Sequence, residues 1–97
     1  MCSKEQCIDL LLKDSSYLQS EFGIRTLKIF GSMARGEATD KSDVDIYVEM
    51  PPTALKIIDL KEYLQNLLGR KIDIVRSHSH LDSFLKQEII KDGLTIF

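Results

Sequence analysis

The chain has 97 residues, of which 43% are hydrophobic and 29% are charged, and its formal net charge is -2 with a pI near 5.6. This length predicts one domain, residues 1–97, with a single core, and the composition excludes long disordered stretches. The slight acidic excess argues against direct nucleic-acid binding, which needs a surplus of basic residues. A triphosphate ligand stays possible, because a divalent metal can supply local positive charge.

The N-terminal segment has no apolar run of the signal-peptide type. No stretch of the sequence approaches the ~18 consecutive apolar residues of a membrane span. We therefore expect a cytoplasmic protein that does not enter a membrane.

The first third of the chain predicts one helix, one strand and a tight turn. Ser3 and Gln6 have the spacing of a capping box, and the apolar periodicity that follows predicts a single helix continuing to Gly23. Thr26–Phe30 alternates between apolar and polar residues, as a short strand does, and residues 32–38 resemble a helical turn.

The rest of the chain alternates strands and helices. We predict a strand over residues 43–49, a helix over 53–68, a strand over 71–75 and a helix over 82–93, followed by an extended tail over 94–97. This order indicates an α/β (α+β) fold.

Each predicted strand has one aliphatic face and one polar face. The polar face carries Lys28, Asp45 and Asp73, whereas strands buried on both faces would be apolar almost throughout. We therefore expect a small mixed β-sheet of three to four strands, with helices packed on one face and the other face largely open. The aspartates fall on the open face.

Three carboxylates form the candidate catalytic centre. Asp43 and Asp45 are two residues apart, so their side chains leave the same face of a strand ~6.6 Å apart. That spacing suits two metal ions, which lie ~3.5–4 Å apart in two-metal phosphoryl-transfer sites. Asp73 joins them if the second and third strands are neighbours. Oxygen-only ligands favour Mg²⁺.

A Gly-Ser turn after the first strand is the candidate phosphate site. Gly31 allows a ligand to approach the backbone closely, and Ser32 with the following amides can hold a phosphate. Arg35 is near enough in sequence to contact the same anion. Each feature alone also has a plain structural reading: an acidic pair on a strand edge, an ordinary turn, a surface charge. The combination and its spacing favour a site.

The motif closely resembles a known family. Gly31-Ser32, ten residues, then Asp43-Val44-Asp45 is the pattern of the DNA polymerase beta-like nucleotidyltransferase superfamily. The segment GSMARGEATDKSDVDIYVEM, the KIDIV strand and the ending LDSFLKQEIIKDGLTIF resemble the minimal nucleotidyltransferase (MNT) family. The resemblance covers essentially the whole chain.

The resemblance implies roles for residues and partners. Asp43 and Asp45 correspond to shared metal ligands for Mg²⁺, with two ions expected, and Asp73 corresponds to a third ligand near the attacking hydroxyl. Gly31, Ser32 and Arg35 correspond to contacts of the ATP phosphates. Members of the family act as antitoxins of HEPN-domain toxins and transfer AMP from ATP to a tyrosine of the toxin, so the resemblance implies a HEPN partner.

Two alternative functions remain open. One is an antitoxin that neutralises its toxin by binding alone; the other is a nucleotidyltransferase that modifies a small molecule. Three further residues are ambiguous. His78 and His80 fit a solvated loop better than a metal site, because carboxylates already supply the ligands. Tyr47 fits either a position near the nucleotide or ordinary packing on the sheet.

Overall fold

The computed structural model describes residues 3–37, 39, 42–78 and 81–97, and His80 lies outside them. Two helices lead into the first strand, and a short helix follows that strand directly. The elements are α1 Lys4–Lys13, α2 Ser15–Phe22, β1 Thr26–Phe30, α3 Gly31–Arg35, β2 Val44–Glu49, α4 Ala54–Leu68, β3 Ile72–Arg76, α5 Ser83–Asp92 and β4 Leu94–Thr95.

The four strands form one mixed sheet in the order β3-β2-β1-β4. β2 and β3 are parallel, and β1 is antiparallel to both β2 and β4. A parallel pair needs a crossover connection, which α4 provides. The predicted α/β class and mixed sheet are confirmed.

The core lies between the aliphatic face of the sheet and the helices α1, α2 and α4. Alternation along β2 buries Val44, Ile46 and Val48 completely, while the residues between them are only partly buried. The helices supply the other half of this core, including Cys7, Leu11, Leu18, Leu60 and Leu64. The side chains left on the opposite face of β2 are polar, so that face is available for a site.

The prediction that helices pack on one face only and leave the other largely open is wrong in one respect, because helix α5 partly covers the polar face. Lys28 of β1 and Tyr47 of β2 line a pocket together with Lys86 and Ile89 of α5. Ile89 is only 3% exposed, although it does not belong to the main core cluster. The polar face is therefore a groove with α5 on its β1 side.

The predicted single N-terminal helix is wrong in one respect, because it is broken at Asp14. α1 ends at Lys13 and α2 begins at Ser15, with Asp14 at φ -94° and ψ 3° between them. The Asp14 carboxylate accepts a hydrogen bond from the Tyr63 hydroxyl of α4. This long-range hydrogen bond stabilises the break between α1 and α2. The apolar periodicity of the sequence does not predict the break.

The longest helix, α4, is an amphipathic surface helix of 15 residues. It buries Leu60, Leu64 and Leu68 and ends at Gly69, whose φ of 68° lies in the left-handed region. A membrane-spanning helix needs ~20 apolar residues. Within the described ranges, none of the helices combines the length and the apolar character needed to cross a bilayer.

Candidate active site

Asp45 and Asp73 lie side by side on the polar face. They are register partners in the parallel β2–β3 pair, and neighbouring strands are ~4.8 Å apart. The reason is local: Val44 and Ile72 are buried in the core, so the next residue of each strand points the other way. Asp73 is exposed and Asp45 is half-buried.

Asp43 lies just outside the strand, because β2 begins at Val44. Its side chain is exposed. The strand start is held by a bond of 2.9 Å from the Val44 amide to the Lys71 carbonyl. Asp43 is thus placed at the end of the sheet nearest Asp45.

The loop that leads to Asp43 is held by Arg70, a residue that the sequence reasoning missed. One guanidinium nitrogen, Nη1, donates to the Thr39 carbonyl at 2.9 Å and to the Ser42 carbonyl at 3.1 Å. The Thr39 amide also donates to Ser42 Oγ at 2.9 Å. These bonds orient the chain just before Asp43. In the sequence, the only sign of this role is the position of an arginine two residues before the third strand.

The carboxylates of this cluster repel one another when they are ionised. Partial burial, followed by the negative charges of Asp73, Asp43 and Glu88, raises the pKa of Asp45 to about 6, and the positive charge of Arg35 opposes part of this shift. Neighbouring carboxylates disfavour the ionisation of one another. Their ionisation becomes favourable once a cation binds between them. Glu88, on α5, is a contributor that the sequence reasoning did not identify.

Gly31 allows the Asp45 carboxylate to pack against the backbone at the end of β1. Phe30 pairs with Asp45, so the following residue lies next to the carboxylate. A Cβ at position 31 would overlap Asp45 Oδ2 and lie 3.1 Å from Asp45 Cγ, and the φ of +71° also disfavours any other residue. The Gly-Ser turn is thereby joined to the aspartates, with Ser32 half-buried at the start of α3.

The Arg35 side chain is engaged with acidic groups in this structure. Its guanidinium lies 3.0 Å from Asp92 and 3.7 Å from Glu88, both on α5, and 3.1 Å from Glu37. Here it therefore links α3 to α5. Its contact with a phosphate stays a prediction.

The residues suit Mg²⁺ as part of a nucleotide complex. Among the residues that the structure describes, there is no group of three His, Cys, Asp or Glu side chains already placed to hold a metal ion. Mg²⁺ rarely uses an all-protein cage, and usually binds one or two carboxylates with waters and substrate phosphates. The in-register pair of Asp45 and Asp73 supplies such carboxylates. Binding of two ions by all three aspartates stays a prediction.

Tyr47 and His78, which the sequence left ambiguous, lie in the same small pocket. Tyr47 is half-buried two residues beyond Asp45, and His78 is exposed in the segment after β3. The pocket joins them to Lys28 and to α5. Their proximity depends on how α5 packs, which periodicity does not reveal.

Comparison with known proteins agrees with this geometry. Residues 13–97 match the family described as polymerase beta, nucleotidyltransferase. The chain belongs to this nucleotidyltransferase family. The predicted family and enzyme class are confirmed.

Individual nucleotidyltransferases of this kind match nearly the whole chain. The protein adenylyltransferase MntA of Thermococcus cleftensis is 38% identical over 94 residues, covering 95% of this chain and 94% of the relative. A solved structure, described provisionally as a minimal nucleotidyltransferase, superimposes with a TM-score of 0.78 at 30% identity, covering 96% and 95% of the two chains.

A more distant match is a chain from the complex of tri-AMPylated Shewanella oneidensis HEPN toxin with MNT antitoxin. Its TM-score is 0.66 at 19% identity, and the match covers 93% of this chain and 71% of that one. At this identity the likeness shows the shared fold alone.

Proposed function

We propose that this nucleotidyltransferase transfers AMP from ATP, with Mg²⁺, to a tyrosine hydroxyl of a HEPN partner protein. The observation that carries the proposal is the in-register pair of Asp45 and Asp73 beside Gly31. The name of the Thermococcus relative, protein adenylyltransferase, supports a protein acceptor. The AMPylated HEPN toxin in the Shewanella complex supports the choice of partner.

In this proposal the phosphates of ATP lie at the Gly31-Ser32 turn, and the α-phosphorus lies over the aspartates. Asp43, Asp45 and Asp73 would hold Mg²⁺, which when bound would neutralise the charge that develops on the attacking and leaving oxygens. Asp73 orients the acceptor hydroxyl and takes its proton. The hydroxyl oxygen bonds to the α-phosphorus as the bond from this phosphorus to the bridging oxygen breaks, and pyrophosphate leaves.

The exposure of Asp73 favours an acceptor carried by another protein. The side chain lies at solvent on β3, at the side of the groove away from α5. In-line displacement requires the nucleophile opposite the leaving group. With pyrophosphate on the Gly31 side, the acceptor approaches from the β3 side, where a tyrosine of a docked protein can reach.

Intact-mass spectrometry tests the reaction. Incubating the chain with ATP, Mg²⁺ and the protein encoded by the adjacent reading frame should add about 329 Da to that protein for each AMP transferred. An Asp43→Ala/Asp45→Ala variant is the matched inactive control. Replacing the modified tyrosine by phenylalanine should abolish the added mass.

The same experiment separates transfer from simple binding. If the neighbouring protein gains no mass, yet is still neutralised by both the wild-type chain and the Asp43→Ala/Asp45→Ala variant, the proposal fails and a binding-only antitoxin explains the data. Added mass on a small-molecule acceptor in place of the protein would also contradict it.

A further inference from the structure

A small pocket adjoins the carboxylates on the same face of the sheet. It has a volume of about 170 Å³ and lies between the sheet and α5, with Lys28, Tyr47, Ser77, Lys86, Ile89 and Ile90 among its walls. Sites that enclose a whole ligand are commonly about 300–1,000 Å³. This pocket is therefore sized for one ring system and not for a complete nucleotide.

Its position relative to Asp45 suits one part of a nucleotide. Tyr47 follows Asp45 by two residues on the same face of β2, ~6.6 Å further along the strand. Lys28 is the register partner of Tyr47 on β1. In a nucleotide whose α-phosphorus lies over Asp45, one ribose separates that phosphorus from the base. This separation allows the base to reach the pocket.

The pocket combines an aromatic wall with hydrogen-bond donors. The Tyr47 hydroxyl donates to Glu49 at 3.2 Å, which fixes the ring, and Lys28 Nζ lies 6.0 Å from the ring centroid. Neither Lys28 nor Lys86 forms an ion pair within the described part of the chain. Their ammonium groups can donate to the acceptor nitrogens and oxygens at the edge of a nucleobase.

We propose that this pocket binds the nucleobase of the nucleoside triphosphate, with Tyr47 as the stacking surface and Lys28 as a donor to the base edge. The proposal rests on the proposed function, because it places the phosphates at Gly31-Ser32. It deepens that function by assigning the residues that set nucleotide preference. Ile90, which is 70% exposed, lies at the pocket mouth and covers the base from the α5 side.

Calorimetry with two ligands tests the assignment. ATP and inorganic tripolyphosphate, each with Mg²⁺, are titrated into the wild-type chain and into Tyr47→Leu, Lys28→Met and Ile90→Asp variants. Tyr47→Leu should weaken ATP binding about tenfold, within the range of base–aromatic stacking losses, and leave tripolyphosphate binding unchanged.

Controls keep the result interpretable. Lys61→Met removes an exposed lysine from α4, away from the pocket, and should change neither affinity. Ile90→Asp alters a largely exposed side chain, so it tests the pocket even if Tyr47→Leu disturbs folding.

Two results would overturn the assignment. Equal losses for ATP and tripolyphosphate would make the pocket a phosphate site, and unchanged ATP affinity in all three pocket variants would exclude it from nucleotide binding. No acceptor protein is present, so these outcomes are independent of whether AMP is transferred. Failure of the wild-type chain to bind ATP with Mg²⁺ would instead contradict the proposed function.

Discussion

Asp45 has the environment that matters most at the level of single residues. Its carboxylate packs against Gly31, pairs in register with Asp73 and is partly buried. Its pKa of about 6 lies above the ordinary value of 3.8, so the folded chain binds the Asp45 proton more tightly than the unfolded chain does. Ionised Asp45 therefore destabilises the metal-free fold. This cost is fully present above pH 6 and disappears as the pH falls below 3.8.

Asp45→Asn should consequently stabilise the metal-free protein at pH 7.5. After allowance for solvent screening of a half-exposed group, we expect about 1 kcal/mol, or a rise in Tm of about 4–8 °C. The gain should shrink as the pH falls through 6 and be mostly lost near pH 3.5, where Asp45 is protonated in the folded state and largely protonated in the unfolded state. Thermal unfolding at the two pH values measures it.

Asp59→Asn is the matched control, because Asp59 is exposed on α4, away from the site. It should change Tm little at either pH. Equal stabilisation by Asp45→Asn at pH 7.5 and pH 3.5 would mean that carboxylate charge is not the cause.

At the level of elements, the contact between α3 and α5 decides the shape of the groove. Arg35 reaches from the last residue of α3 to Asp92 and Glu88 on α5, and the Asp92 side chain is only 17% exposed. Asp92 is the partly buried partner of this pair, and a charge-assisted hydrogen bond to it holds the two helices more firmly than an ion pair between two fully exposed side chains would. α5 in turn forms one wall of the nucleobase pocket.

A double-mutant cycle with Arg35→Gln and Asp92→Asn should therefore give a favourable coupling energy between the two side chains. Each single change loses the ion pair, and the double change costs less than the sum. Denaturant unfolding of the four proteins measures it. A coupling energy near zero would show that Arg35 does not hold α5, and would leave the predicted phosphate contact as its main role.

At the level of the whole molecule, core and site occupy opposite faces of one sheet. Val44, Ile46 and Ile72 are buried among α1, α2 and α4, whereas the aspartates between and beside them face the groove. Removing a side chain from the groove thus leaves the core packing intact. We therefore expect substitutions of the exposed aspartates to leave the chain folded for binding experiments.

The dependence of ATP binding on Mg²⁺ should arise from the aspartates on the polar face. Triphosphate and aspartates repel each other, so we expect at least a tenfold gain in ATP affinity with Mg²⁺, or about 1.4 kcal/mol. Asp45→Asn should remove most of that gain while remaining folded. Calorimetry with Mg²⁺ and with EDTA decides it, and equal wild-type affinities in the two conditions would rule out the metal site.

Several features were determined by the sequence itself because they depend on short-range periodicity and spacing. Alternation in the strands assigned Asp45 and Asp73 to the polar face, and the structure places them there in register. The Gly-Ser and Asp-x-Asp spacing identified the family, which the comparison confirms. Strands and helices were located to within a few residues, apart from the break at Asp14.

The tertiary structure alone decided where distant segments meet. α5 packs on the polar face, which creates the pocket beside Tyr47 and gives Arg35 its acidic partners. Tyr63 holds the break at Asp14, and Arg70 holds the loop before Asp43. These contacts join residues far apart in sequence. Local pattern reports which face of an element is apolar, but not which other element will cover the polar one.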